Sequence, residues 1–232
     1  LSAVRTVVVT GAFGALGSAV ARRFLTDGAR LGLINHGPVP AGAAKQMPAP
    51  HVLVGGIDLT DLKTTTDAMQ RIAGAAGTLD VLVNVAGGFR FQNLADGDLA
   101  VWEQMFDMNL KTAVVASRAA LPYLRARGAG RIINIGAGAA GRAHAGMGAY
   151  DASKAGVERL TESLAEELRD LNITVNAILP GTLDTAANRA DMPKADTSRW
   201  VAPQALADVV AFLASDAARA VTGAAIRVVG RG

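Results

Sequence analysis

Val7-Val8-Val9-Thr10-Gly11-Ala12-Phe13-Gly14-Ala15-Leu16-Gly17 runs from a β-branched segment through three glycines spaced three apart, and the helical pattern of Ala15–Asp27 begins inside it. Tight turns from strand to helix need glycine for steric reasons alone, so the weight lies in the context. A second strand-like run, Arg30–Ile34, ends at Asn35, about 20 residues beyond the turn, where a group that meets a ribose is expected. Strand, glycine turn, helix and second strand together predict a nucleotide whose pyrophosphate rests on backbone N–H groups at the helix N-terminus. Phe13 and Leu16, between the glycines, are expected to line that site with Gly11, Gly14 and Gly17. An Asp or Glu at position 35 would grip a ribose 2′-hydroxyl. Asn35, followed by His36, neither repels a 2′-phosphate nor supplies a strong acceptor, so NAD and NADP both remain open as cofactor.

The rest of the chain repeats the alternation. Short apolar runs at Arg5–Val9, Arg30–Ile34, His51–Val54, Val81–Asn84, Arg131–Ile135, Thr174–Leu179 and Ala225–Val229 read as strands covered on both faces. Helical patterns fall between them at Ala15–Asp27, Leu62–Ala76, Leu99–Arg127, Ala149–Asp170 and Pro203–Ser215, with Gly28, Gly77 and Gly128 as stop signals. The pattern predicts an α/β fold: a doubly wound parallel sheet of seven strands, Rossmann-type, with helices on both faces and ligands beyond the carboxyl ends of the strands. Residues 1–232 are expected to form a single dinucleotide-binding domain. His36–Pro50, rich in Pro and Gly, is expected to be irregular, and the long stretch 181–202 is expected to be a substrate loop.

Half of the 232 residues are hydrophobic and 19% are charged, enough for one large core. The net charge of +3 is spread along the chain, without the basic stripe a nucleic-acid partner would require. No cysteine is present, which excludes disulfides, thiol catalysis and thiolate metal sites, and His36, His51 and His144 are too scattered to suggest a metal. Strand-like sequence begins at once, without a leader, and no apolar run approaches the length of a membrane span. A cytoplasmic protein with no membrane partner is the resulting expectation.

Tyr150 and Lys154, four apart in Tyr-Asp-Ala-Ser-Lys, fall on one helix face. An ammonium there would favour the ionised phenol and let it pass a proton at neutral pH. Asn84-Val85-Ala86-Gly87 ends the fourth strand where a dinucleotide would pass, and its glycine permits close backbone approach. Asp58 is placed to accept from an adenine amino group, or else to cap the helix near Leu62, a role for which Thr60 and Asp61 compete.

Taken with Asn109 in Met-Asn-Leu, Pro180-Gly181 with Thr185, and Val221-Thr222-Gly223, these motifs resemble the short-chain dehydrogenase/reductase family from the first strand to the last. The resemblance implies Tyr150 as general acid/base, Lys154 lowering its pKa and holding the nicotinamide ribose, and Asn109 ordering a water in the proton path. Cofactor contacts are implied at Asn84, Ala86, Gly87, Tyr150, Lys154, Pro180, Gly181 and Thr185. A small-molecule substrate is implied too, as is pairing into a homodimer or homotetramer through the two long helices.

One position departs from the family. The serine usual thirteen residues before the tyrosine is Ala137 here, between Gly136 and Gly138. The missing hydroxyl is worth about 2–4 kcal/mol to a transition state with localised oxyanion charge. Gly136–Ala140, Gly146-Met147, Gly87-Gly88-Phe89 and the stretch from Leu179 to Trp200 resemble dihydropteridine reductases, whose conjugated substrate ring needs no second donor. Phe89, Phe91, Met147 and Trp200 are expected as apolar walls, with Arg90, His144, Asn188 or Arg189 as polar contacts. A ketone or 3-oxoacyl reductase working without the serine, and a nucleotide-binding sensor that has lost its chemistry, are the alternatives.

Overall fold

The computed structural model describes residues 4–230. Seven strands form one sheet: β1 (Thr6–Thr10), β2 (Arg30–Ile34), β3 (Val52–Val54), β4 (Val81–Asn84), β5 (Gly130–Ile135), β6 (Ile173–Pro180) and β7 (Ala225–Val228). All pair in parallel in the order β3-β2-β1-β4-β5-β6-β7. The order reverses between β1 and β4, which opens a crevice where their carboxyl ends part. Thr10 spans that point, its Oγ1 accepting the N–H groups of Val85 and Ala86 at 3.1 and 3.2 Å.

Helices α1 (Ala15–Thr26), α2 (Ala43–Gln46), α3 (Leu62–Ala76), α4 (Leu99–Phe106), α5 (Thr112–Arg127), α6 (Gly148–Glu167), α7 (Ala186–Asp191) and α8 (Pro203–Ala214) complete the chain. The alternation along each strand divides the core. Val7, Val9, Leu31, Leu33 and Ile133 face Leu16 and Val20 of α1 and Leu206 and Val210 of α8. Val8, Ile34, Leu82 and Ile132 face Met69 and Ile72 of α3, Leu124 of α5 and Leu164 of α6. Each fully buried side chain of this size contributes about 1.5–3 kcal/mol. Gly77 and Gly128 end α3 and α5 in the left-handed conformation expected of them.

Three expectations need correction. Leu99–Arg127 is not one regular helix, because Asp107–Lys111 between α4 and α5 forms a π turn in which Thr112 N–H bonds to Asp107 O. Buried Met105, Asn109, Thr112, Ala113 and Ala116 keep helical spacing across it, so periodicity did not reveal it. The irregular connection His36–Pro50 contains the short helix α2. Finally, β7 alternates between exposed and half-buried residues, as an edge strand covered on one face does.

Candidate active site

At the crevice lies a cavity of about 760 Å³. Its walls include Gly11, Gly14, Leu16, Gly17, Asn35, Asp58, Ala86 and Gly87, all expected from sequence, together with Leu59, Thr60 and one face of the α4 region. That face comprises Ala100, Glu103, Gln104, Asp107, Met108 and Thr112. Sequence reasoning missed these residues, although their spacing of three or four is that of a single helical stripe.

The glycine turn fits a dinucleotide. Gly11 has φ of +61°, and a Cβ there would lie 2.9 Å from the Ala86 backbone. A Cβ on Gly17 would collide with the Gly11 carbonyl, so helix and turn pack only as glycine allows. Gly14 differs, since a Cβ there meets protein only at 3.4 Å and would instead occupy the cleft. Gly14 is the N-cap of α1 and no side chain caps it, leaving the first N–H groups of the helix for an anionic ligand. The backbone therefore supplies the cradle that a pyrophosphate requires.

The two roles weighed for Asp58 separate here. Asp61 caps α3 by accepting Thr64 N–H at 2.7 Å. Asp58 lines the cavity and accepts the Thr60 N–H and hydroxyl at 2.8 and 2.7 Å. Those bonds, more than the nearby His36 and Lys111, hold its carboxyl below the usual carboxylate range. Asn35 keeps its side chain near the Gly37 carbonyl, at 3.4 Å.

Around Gly87 three elements converge. The π turn carries Asn109, which is buried; its Oδ1 accepts Gly88 N–H at 2.9 Å and its Nδ2 donates to Ser153 Oγ at 3.0 Å. The Ser153 hydroxyl donates to the Tyr150 carbonyl at 2.7 Å. Lys154, one turn along α6, is fully buried and donates to the Ile135 carbonyl at 2.8 Å. A Cβ on Gly87 would stand 2.6 Å from Asn109 Oδ1 and 3.3 Å from Lys154 Nζ, so this glycine makes room for both. Ser153 lies inside the motif that singled out its neighbours, yet its role as a link between Asn109 and α6 was not foreseen.

The electrostatics depart from expectation. Burial, with a smaller contribution from Asp151, pushes the Tyr150 phenol up to about 12, and burial alone brings Lys154 down to about 8. The lysine ammonium is held by the Ile135 carbonyl. The Phe89 ring meets Tyr150 edge-on, with centroids 5.0 Å apart.

Several expected residues are engaged within the protein. Asn84 is buried beneath the cavity and donates to Asn134 Oδ1 and Ser117 Oγ at 2.8 and 3.1 Å. Phe13 packs on the core. Pro180 ends β6, and Gly181 N–H bonds to Val228 O at 2.9 Å. Thr185 caps α7, accepting Asn188 N–H at 3.1 Å. Asn188 donates to the Leu183 carbonyl, and Arg189 grips Asp184 at 2.5 and 2.9 Å, so both hold the 181–202 loop together. Arg90 donates to its neighbour's carbonyl, and the His144 side chain is exposed. Ala137, buried, brings no hydroxyl to the site.

Among the described residues no helix is long and apolar enough to cross a membrane. The short chain dehydrogenase family model matches residues 5–196. The cis-4-hydroxycyclohexanecarboxylate dehydrogenase of Sinomonas cyclohexanicum is 35% identical, over 98% of this chain and 96% of that protein. Nodulation protein G of Azospirillum brasilense is 33% identical over 97% of each chain. The acetoacetyl-CoA reductase of Allochromatium vinosum is 31% identical, again over 97% of each. With a glycine cradle at the switch point of a parallel sheet and relatives matched along almost their whole length, the chain belongs to the short-chain dehydrogenase/reductase family and is an NAD(P)-dependent oxidoreductase.

Proposed function

We propose that this oxidoreductase uses NADH to reduce a small planar, conjugated acceptor, with Tyr150 as proton donor and Lys154 and Asn109 ordering its surroundings. The observation that carries the reading is the convergence of Asn109 and Lys154 on Gly87, one helical turn from Tyr150. When bound, the nicotinamide supplies the hydride. The neutral phenol gives its proton to the reduced acceptor, so one hydride and one proton are consumed per turnover.

Three observations support the finer choices. The lining of the nucleotide cavity contains Asp58, Glu103 and Asp107 but no Lys or Arg, an environment unfavourable to a 2′-phosphate dianion. Ala137 leaves the substrate without a second hydroxyl donor, a loss tolerable where charge is delocalised over a ring. Phe89 and Phe91 offer flat apolar faces beside Tyr150 and Gly146. A quinonoid dihydropterin has the required shape and electronics, and the loop 181–202 would close the substrate side. Reduction of a cyclic ketone is the second reading, favoured by the likeness to the 4-hydroxycyclohexanecarboxylate dehydrogenase.

The test is NADH and NADPH oxidation with a quinonoid dihydropterin, a benzoquinone and cyclohexanone, for the unmutated chain and Tyr150→Phe. Turnover of the dihydropterin or quinone, a preference for NADH of about tenfold or more, and a loss of about 10²–10⁴ in Tyr150→Phe are expected. Turnover of cyclohexanone alone would favour the second reading, and full activity in Tyr150→Phe would refute the role of the phenol.

A further inference from the structure

Asp151 follows Tyr150 in the chain, and nothing in the proposed reaction uses it. Its side chain is only 3% exposed, on the first turn of α6. Oδ2 accepts the His144 N–H at 3.2 Å, whereas Oδ1 is buried without a hydrogen-bond partner among the described residues. A buried carboxylate satisfied on one oxygen costs more free energy than a small neutral side chain in the same place. Burial accordingly raises its pKa.

The bond to His144 reaches further than its length suggests. His144 stands within 142–147, the connection between β5 and α6 that borders the substrate side, and its carbonyl accepts Met147 N–H at 3.1 Å. Among the described residues no other side chain bonds to this segment. Gly146, with φ of +75°, accepts Gln92 N–H at 2.8 Å, and the Phe91 ring fills the space where a Cβ would stand. A continuous path therefore runs from Asp151 through His144 and Gly146 to Phe91 and Gln92, and Phe89 of the same wall touches Tyr150.

We propose that Asp151 is a positioning residue that fastens segment 142–147, and through it the 89–92 wall, to the helix carrying Tyr150. The inference rests on the reading of Tyr150 as proton donor. The same carboxylate acts on the phenol through space. Arg90 in the 89–92 wall, Glu103 on α4, Asp107 and Lys111 on the π turn, Arg142 and His144 in the connection, and Lys154 and Glu158 on α6 are charged or titratable groups of the surrounding elements. Burial and then Asp151 raise the Tyr150 phenol, while burial raises Asp151 and His144 acts against that rise.

Hydrogen exchange of the full chain, read by mass spectrometry, tests the fastening in D151A and D151N. In D151A, exchange across 142–147 and 89–92 should rise about five- to tenfold, as loss of one hydrogen bond implies. In D151N the amide oxygen still accepts the His144 N–H, and exchange should stay within about twofold of the unmutated chain. Near-ultraviolet titration tests the charge: Tyr150→Phe identifies which of the two tyrosines gives the signal, and in D151N that signal should move to lower pH. Unchanged exchange in D151A, equal increases in both variants, or a Tyr150 titration that does not move would each overturn the assignment. Undiminished dihydropterin reduction by Tyr150→Phe would remove the catalytic reading while leaving the exchange comparison intact, so the two fail separately.

Discussion

Lys154 Nζ donates to the carbonyl oxygen of Ile135 at 2.8 Å, which ties α6 to the end of β5 through a fully buried ammonium. Burial brings this lysine from 10.5 to about 8. Between those values the unfolded chain holds a proton that the folded chain has released, so the contribution to stability rises with pH across the window, by about 3 kcal/mol in all. Tyr150, raised from 10.0 to about 12, acts in the opposite sense, because the folded chain keeps a proton that the unfolded chain loses. Lys154→Met should remove the rising limb between pH 8 and 10.5, and Tyr150→Phe the falling limb above pH 10. Urea midpoints of the three proteins between pH 7 and 11 provide the check; identical profiles would rule out the assignment.

Replacement of Asn109 should damage both fold and turnover. Asn109→Ala strands the Gly88 N–H and removes the donor to Ser153, at a cost of about 2 kcal/mol. The start of α6 then loses one of its side-chain links to neighbouring elements, and misplacement of Tyr150 on the scale of 1 Å costs up to about 10²-fold in rate. Ser153→Ala should reproduce part of the rate loss, since the hydroxyl is the intermediate between Asn109 and the Tyr150 carbonyl. Denaturation and NADH oxidation measured on both variants would decide; a rate loss in neither means the link is structural alone.

The glycines of the turn should separate cofactor binding from folding. A Cβ on Gly14 meets no protein atom closer than 3.4 Å, so Gly14→Ala should melt within a few degrees of the unmutated chain yet bind NADH at least about tenfold more weakly. Gly17→Ala would drive α1 away from the Gly11 carbonyl and lower both stability and affinity. Thermal melts without ligand, beside fluorescence titration with NADH, distinguish the cases. Equal affinity in Gly14→Ala and the unmutated chain would place the pyrophosphate elsewhere.

The strands were legible because each is a short β-branched run with both faces covered, and β2 and β4 fall where the sequence puts them. Helix ends were legible where glycine is required, as at Gly77 and Gly128. Less could be read where long-range contacts decide. The π turn at Asp107–Lys111 preserves the apolar pattern while re-aiming Asn109, and the cavity stripe on α4 is polar and so looks like a solvated face. The fate of the lysine charge was equally hidden, since the partner, Ile135, is a backbone carbonyl of another element. Arg189 and Asn188 were read as possible substrate contacts because they are polar and sit in a long loop; the sequence did not show that they bond to Asp184 and Leu183 within it.

Ala137 offers the sharpest separation of substrate classes. It is buried just beyond the end of β5, 5% exposed, where the family resemblance implies a serine. For a ketone, reduction localises charge on one oxygen, and Ala137→Ser should restore a donor worth about 10²–10³ in turnover. For a conjugated ring the developing charge spreads over several atoms, Tyr150 already supplies the proton, and the same substitution should change turnover by less than about threefold. Measuring kcat/KM of both proteins with cyclohexanone and with a quinonoid dihydropterin gives the comparison directly. A gain on the ketone alone supports delocalised charge in the reaction of the unmutated chain. A gain of similar size on both substrates would mean that a single donor limits either reaction, and the planar acceptor would lose its claim.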